Sequence, residues 1–247
     1  MKRWHWLAAG ASAYLAMLIA LAPATLVDAM LARGSDARIR LAEPQGSVWS
    51  GAGRIQLLDK NREIGVGKDI AWRWLPRELL RGRLACEVAL DGNNRHFKIA
   101  ASRARIDVTD ADIRVPAAVL GIMEPRLAAF GLGGELDMHI ADLVISDADV
   151  QATALIVWRA ATSAHTKVSP LGDYELRIEH AGRARSARLR TLGGPLQLDG
   201  IGEWPLGGRP SLAATARVSP QQREQLDPFL RMIAVERGAG NYEFQLR

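Results

Sequence analysis

The chain has a single cysteine among its 247 residues, Cys86, so no internal disulfide can hold it together. Cys86 sits in "RLACEVAL" with no histidine close in sequence, and reads as a small apolar core residue, not a nucleophile. The motifs of common chemistry are also missing. There is no Gly-x-Ser-x-Gly elbow and no His-Glu-x-x-His pair. "GLGG" at Gly131 lacks the Lys-Ser/Thr of a phosphate loop and leads into a strand. His96, His139, His165 and His180 lie far apart, each in its own strand or loop, which argues against a zinc site. Asp107, Asp110, Asp112, Asp147 and Asp149 cluster in "DVTDAD" and "SDAD", which lack the glycine and final glutamate of a calcium loop and read as turn residues. The sequence therefore offers no catalytic, metal or cofactor-binding residues, and it is read as that of a non-enzyme.

A basic patch is lacking too, although the net charge is +5. The arginines are spread along the chain and alternate with apolar residues, as in "RARLR", which is the pattern of a solvated sheet face. Nucleic acid is excluded as a partner on this ground.

One long apolar run is present. After Lys2 and Arg3, residues 6–27 carry no charge, enough for a helix that crosses a bilayer, with Trp4 and Trp6 placed as an interfacial belt. The basic end stays in the cytoplasm, which puts the rest of the chain outside it. "APA" and "VDA" would also suit a cleaved leader, but the length of the run and its helical continuation through Leu26, Met30 and Leu31 favour a retained anchor. Ala9, Gly10, Ala13 and Ala16 would permit close helix packing, or simply face lipid. Residues 1–5 are then a cytoplasmic start, 6–27 the anchor, 28–45 a linker and 46–247 the exported domain.

Beyond the anchor the period changes to two. "RIQLLD", "RLACEVAL", "FKIAASRARIDV", "ELDMHIADLVI", "ATALIVWRA", "YELRIEHAG" and "YEFQLR" alternate apolar and polar residues between glycine, proline and Asp-Gly turns. Two segments read as helices. In "VPAAVLGIMEPRLAAFG", Val119, Leu120, Met123, Leu127 and Phe130 share a face, with Pro116 in the first turn and Gly131 as the stop. In "SPQQREQLDPFLRMIAVERGAG", Ser219 is the N-cap, Pro220 the first residue, and Leu226, Phe229, Leu230 and Ile233 form the stripe. Each helix follows an "RV" strand end and precedes a glycine-led strand, and Trp72-Arg73 matches Trp158-Arg159, so the chain reads as a duplication, 46–132 and 133–247. The predicted fold class is mainly β: a transmembrane helix, then an elongated, curved antiparallel sheet of two stacked β-layers with two short helices.

"GSVWSGAGRI", Gly46 to Ile55, is then an end strand in which Trp49 caps the core while Gly51 and its neighbours allow a bulge. Trp49, Trp72, Trp158 and Trp204 read first as core tryptophans. An open sheet offers edges for strand addition. The edges expected are Gly46–Ile55 and Tyr242–Arg247, and the candidate structural and docking residues are Trp49, Gly51, Trp72, Trp158, Tyr174, Tyr242 and Phe244.

In order along the chain, "GSVWSGAGRI", "AWRWLPRELLRGRL", "GGELDMHIADL", "ALIVWR", "PLGDYELRIEHAG", "GGPLQLDGIGEW" and "GNYEFQLR" resemble protein N of the bacterial type II secretion system (GspN). The resemblance implies a bitopic accessory or scaffold component of the inner membrane, with a periplasmic domain. It also implies other inner-membrane components of the machine, and the secretin, as partners, with no cofactor, small-molecule substrate or catalytic residue. A second expectation, of a different class, is a lipid-binding or lipid-transfer β-groove anchored in the inner membrane.

Overall fold

The computed structural model describes residues 2–59, 64–92, 96–146, 149–181, 184–203, 211–238 and 241–246. Trp204, Asp147 and Arg247 lie outside the described residues. The chain forms two compact units, Met1–His96 and Phe97–Arg247, so the division falls well before the expected repeat boundary at 132/133.

Unit 1 opens with helices α1 (Lys2–Ala20) and α2 (Thr25–Gly34) and continues as an antiparallel meander of β1 (Ile39–Gly46), β2 (Ser50–Leu58), β3 (Ile64–Trp74) and β4 (Leu84–Leu90), with the short α3 (Pro76–Leu79) between the last two. The apolar run 6–27 is therefore not one helix. Pro23 has no N–H to continue α1 and instead forms an antiparallel bridge with Ser47. At 19 residues α1 is about 28 Å long, and Lys2, Arg3 and His5 occupy its start. Among the described residues, no helix is long and apolar enough to cross a membrane.

The stretch read as a linker, 28–45, holds most of α2 and β1. The strand is hard to see in the sequence because its pairing with β2 shifts register between Ala42 and Gln45, where Glu43 takes a left-handed φ of 51°. An irregularity of this kind destroys the alternation by which a strand is recognised. Ala24, Leu41, Trp72, Ala85, Val88 and Ala89 make the buried apolar set of unit 1.

Unit 2 is one antiparallel sheet, not two stacked layers. Its strands are β5 (His96–Ser102), β6 (Arg105–Pro116), β7 (Gly133–Ser146), β8 (Val150–Thr162), β9 (Gly172–Ala181), β10 (Ala184–Gly193), β11 (Leu196–Glu203), β12 (Ser211–Val218), β13 (Val235–Gly238) and β14 (Asn241–Leu246). They are ordered by sequence except that β14 inserts between β12 and β13.

The first predicted helix is interrupted. Pro116 ends β6 instead of opening a helix, and the segment divides into α4 (Val119–Met123) and α5 (Pro125–Ala128). Pro125 removes a helical donor, and Glu124 before it is extended and caps α5 through Arg126 N–H at 3.3 Å. Met123 is largely exposed and leaves the predicted stripe. The second helix forms but starts later than expected: Ser219 makes no capping hydrogen bond, and a 3₁₀ turn, Pro220–Gln222, leads into α6 (Arg223–Ile233), which buries Leu226, Phe229 and Leu230. The side chain of Ile233 lies outside the described set. The α6 stripe packs on Ala161, Leu171, Tyr174, Leu196, Ala216 and Tyr242. These residues sit at the same end of their strands, so the core of unit 2 is concentrated under α6.

Candidate docking surfaces

The phrase "GSVWSGAGRI" is built around two tryptophans and a glycine. Gly51 of β2 lies directly opposite Trp72 of β3. A Cβ on Gly51 would stand 2.6 Å from Trp72 Cζ2 and 2.5 Å from the Gln45 carbonyl oxygen, so only glycine lets the indole lie across the strand. Trp72, 8% exposed, donates its Nε1–H to the Val48 carbonyl at 2.9 Å. Trp49 faces the other way. It is 37% exposed, meets Trp74 edge-on at 6.5 Å, and donates its Nε1–H to the Ile19 carbonyl at 2.7 Å. The Val48 N–H likewise reaches the Ala22 carbonyl at 2.9 Å. The last carbonyls of a helix have no partner within it. At the end of α1 the Ile19 carbonyl is reached by the Trp49 indole, and the Ala22 carbonyl just beyond the helix by Val48, so the β1–β2 turn ties the end of the helix to the sheet. Trp49 is thus less a core tryptophan than a fastening for α1.

Unit 2 uses its tryptophan as unit 1 uses Trp72. Trp158 of β8 donates Nε1–H to the Gly133 carbonyl, 25 residues back, at 2.9 Å, as Trp72 does to Val48, 24 residues back. Trp158 stacks obliquely on its cross-strand partner Tyr174 at 6.1 Å. The Tyr174 hydroxyl donates to the Leu196 carbonyl at 3.0 Å, and burial, with a smaller contribution from Asp173, pushes its pKa far up. Tyr242 is 1% exposed. Its hydroxyl donates to the Asp227 carboxylate of α6, and burial together with that carboxylate pushes its pKa up to about 12. Phe244 packs half-buried against the same cluster. Trp158, Tyr174, Tyr242 and Phe244 are thus brought together in unit 2, while Trp49, Gly51 and Trp72 lie in unit 1.

The expected edge strands are interior. β2 runs between β1 and β3, and β14 runs between β12 and β13. The outer side of β1 is sealed by α2: Asp28 accepts the Leu41 N–H at 2.8 Å and holds Arg40 through both carboxylate oxygens, at 2.9 and 2.8 Å. Asp28 is absent from the residues singled out in the sequence, where a lone acid just after an apolar run is its only signal. Arg40 keeps the Asp28 pKa below the ordinary carboxylate range. At the other end of unit 2, β13 is the outermost strand, and it is only four residues long. Both are recognised ways of blunting an edge.

The face of unit 2 opposite α6 is polar. Cross-strand partners share a face, so one row runs from Arg114 through Asp137, Val157, Glu175, Arg190, Asp199 and Thr215 to Glu243. Arg159, at 2.7 Å, and Arg114 flank Asp137 and depress its pKa; Arg190, at 2.8 Å, does the same to Glu175. Arg190 and Arg217 border an open depression of about 580 Å³ on this face. Cys86 is half-buried, and burial pushes its thiol pKa up, away from reactivity. Among the described residues, no three His, Cys, Asp or Glu side chains are grouped to hold a metal ion.

No curated protein and no solved structure matches the chain. The family model for type II secretion system (T2SS) protein N, in contrast, matches residues 37–245, from just before β1 to within β14. With that span covered, the chain belongs to the type II secretion system protein N family.

Proposed function

We propose that the chain is an accessory component of the type II secretion machine, held at the inner membrane by its N-terminal helix. Its β units stand on the periplasmic side, where they steady other inner-membrane components and the secretin during export of folded proteins. The family makes it a secretion component. The observation that carries the membrane placement is the bare apolar surface of α1. Trp6, Leu7, Leu15, Met17, Leu18 and Ile19 are all more than half exposed, in a helix whose far end is hydrogen-bonded into unit 1. Soluble surfaces rarely leave so continuous an apolar patch uncovered. A tether also raises effective concentration, so weak contacts through the polar sheet faces suffice.

The test is to isolate the tagged full chain from gently solubilised membranes and identify the proteins and lipids that co-purify with it. Co-isolation of inner-membrane secretion components, with the chain recovered in the membrane fraction, is expected. Recovery of the chain in the soluble fraction would overturn the membrane placement, and isolation without secretion components would overturn the accessory role.

One observation favours the groove reading. Ile156, Leu176 and Ile178 lie on the α6 face of unit 2, half-buried and outside the core cluster. At the far end of that face Arg185 Nε and His180 Nδ1 are buried without hydrogen-bond partners among the described residues. Phospholipid accompanying the purified chain in place of secretion proteins would turn the assignment to lipid handling.

A further inference from the structure

We infer that the segment joining β3 to β4, "LPRELLRGRL" from Leu75 to Leu84, is a second membrane contact that seats unit 1 on an anionic lipid surface. It rests on the membrane placement proposed above and extends it from α1 to the β unit itself. Three observations converge on it. The first is apolar exposure: Leu80 is 91% exposed, Leu79 46% and Leu84 48%, within one short turn. Nothing in the fold requires leucine there, since α3 buries no residue.

The second is charge. Arg77, Arg81 and Arg83 are all exposed around these leucines. Among the described residues only Arg81 pairs, with Glu78 at 3.7 Å. Exposed leucines ringed by arginines suit the boundary between acyl chains and anionic headgroups. They suit an acidic protein surface less well, because arginine alone would serve there.

The third observation is position. The Trp74 N–H donates to the Trp49 carbonyl at 2.8 Å, and the Trp49 indole donates to the Ile19 carbonyl in the last turn of α1. The two rings meet edge-on. The end of α1, the Trp49–Trp74 pair and the Leu75–Leu84 turn therefore lie at one end of unit 1. Tryptophan is the residue of membrane–water boundaries. The turn is tied down by Leu75 N–H to the Ala85 carbonyl, at 2.8 Å, and by Arg81 N–H to the Glu78 carbonyl, at 2.9 Å. The leucines are thus presented from a formed structure.

The experiment uses the full chain, with Cys86→Ala and a single cysteine at Leu80→Cys carrying an environment-sensitive fluorophore. Asp69→Cys, on β3 away from the turn, serves as the reference site. Vesicles are phosphatidylglycerol with phosphatidylethanolamine, or phosphatidylcholine alone. With anionic vesicles the label at 80 is expected to shift to the blue and become shielded from an aqueous quencher, while the label at 69 stays quenchable. Each arginine near an anionic surface strengthens attachment about fivefold. The triple variant Arg77→Gln, Arg81→Gln, Arg83→Gln is therefore expected to lose roughly a hundredfold of the preference for anionic over neutral vesicles. If the chain sediments with vesicles but the label at 80 stays as quenchable as in buffer, the seat is overturned and the α1 placement stands. If the chain does not sediment with vesicles, both are overturned.

Discussion

Gly51 is the residue on which the first hairpins turn, because its missing side chain is the space Trp72 occupies. In Gly51→Val the new carbons would meet the indole and the Gln45 carbonyl, neither of which can retreat. Overpacking of this kind costs about 1–3 kcal/mol, so the urea midpoint is expected to fall accordingly. Trp72→Phe at the same contact should relieve the Val variant in part, a coupling that a double-mutant cycle measures. Tyr242 makes a different prediction, in pH. Its folded pKa, about 12, lies above the ordinary value of 10. Its contribution to stability is therefore complete below pH 10 and lost as pH rises through about 12. Thermal midpoints should drop across that window, and drop less in Tyr242→Phe, which keeps the ring and has no proton to lose. Buried Tyr174 shifts in the same direction, so some alkaline sensitivity is expected to remain in the variant.

At the scale of elements, the pairing of α2 with β1 decides whether the sheet begins in a closed or an open edge. Asp28→Ala would strand the Leu41 N–H, on a residue only 4% exposed. Leaving a buried donor unsatisfied costs about 1–3 kcal/mol. Self-association in sedimentation should rise at the same time, because the outer rim of β1 loses its cover. Asp28→Asn keeps an acceptor for that donor and is expected to show the smaller change of the two. The strands themselves are legible in the sequence wherever alternation is clean: "LACEVAL" is β4 and "YELRIEHA" lies in β9. The α6 stripe is legible too, since Leu226, Phe229 and Leu230 recur at helical spacing. What stays hidden is decided by single residues acting on the backbone. Pro23 ends α1, Pro125 divides the other helix, and Glu43 disguises β1. The edges stay hidden for another reason: which strand is outermost depends on pairing among distant segments, and alternation within one strand does not carry it. The docking residues Trp49 and Gly51 can be picked out as unusual, but their partners, the Ile19 carbonyl and the Trp72 ring, belong to other elements.

At the scale of the molecule, the positive balance is a matter of scattered arginines, several of which hold carboxylates on the sheet surface. Asp28 beside Arg40, Asp137 between Arg159 and Arg114, and Glu175 beside Arg190 all have depressed pKa values. Their joint contribution to stability is present above about pH 4, the range in which unfolded carboxylates titrate, and is lost as pH falls through the lower folded values. Acid unfolding followed by circular dichroism should begin below that point, and added salt should blunt the effect for these partly exposed pairs. The order of the strands has a consequence in time. From β1 to β4, and again from β5 to β12, every strand pairs with its immediate predecessor in sequence. Each hairpin can close as soon as it leaves a ribosome or a membrane pore, with only short loops to gather, and low contact order of this kind favours quick, stepwise folding. β13 departs from this rule: it pairs with β14, which lies between it and β12. β14 must therefore slot between β12 and a β13 made before it, and a chain cut short before Asn241 would leave β13 with no strand to join.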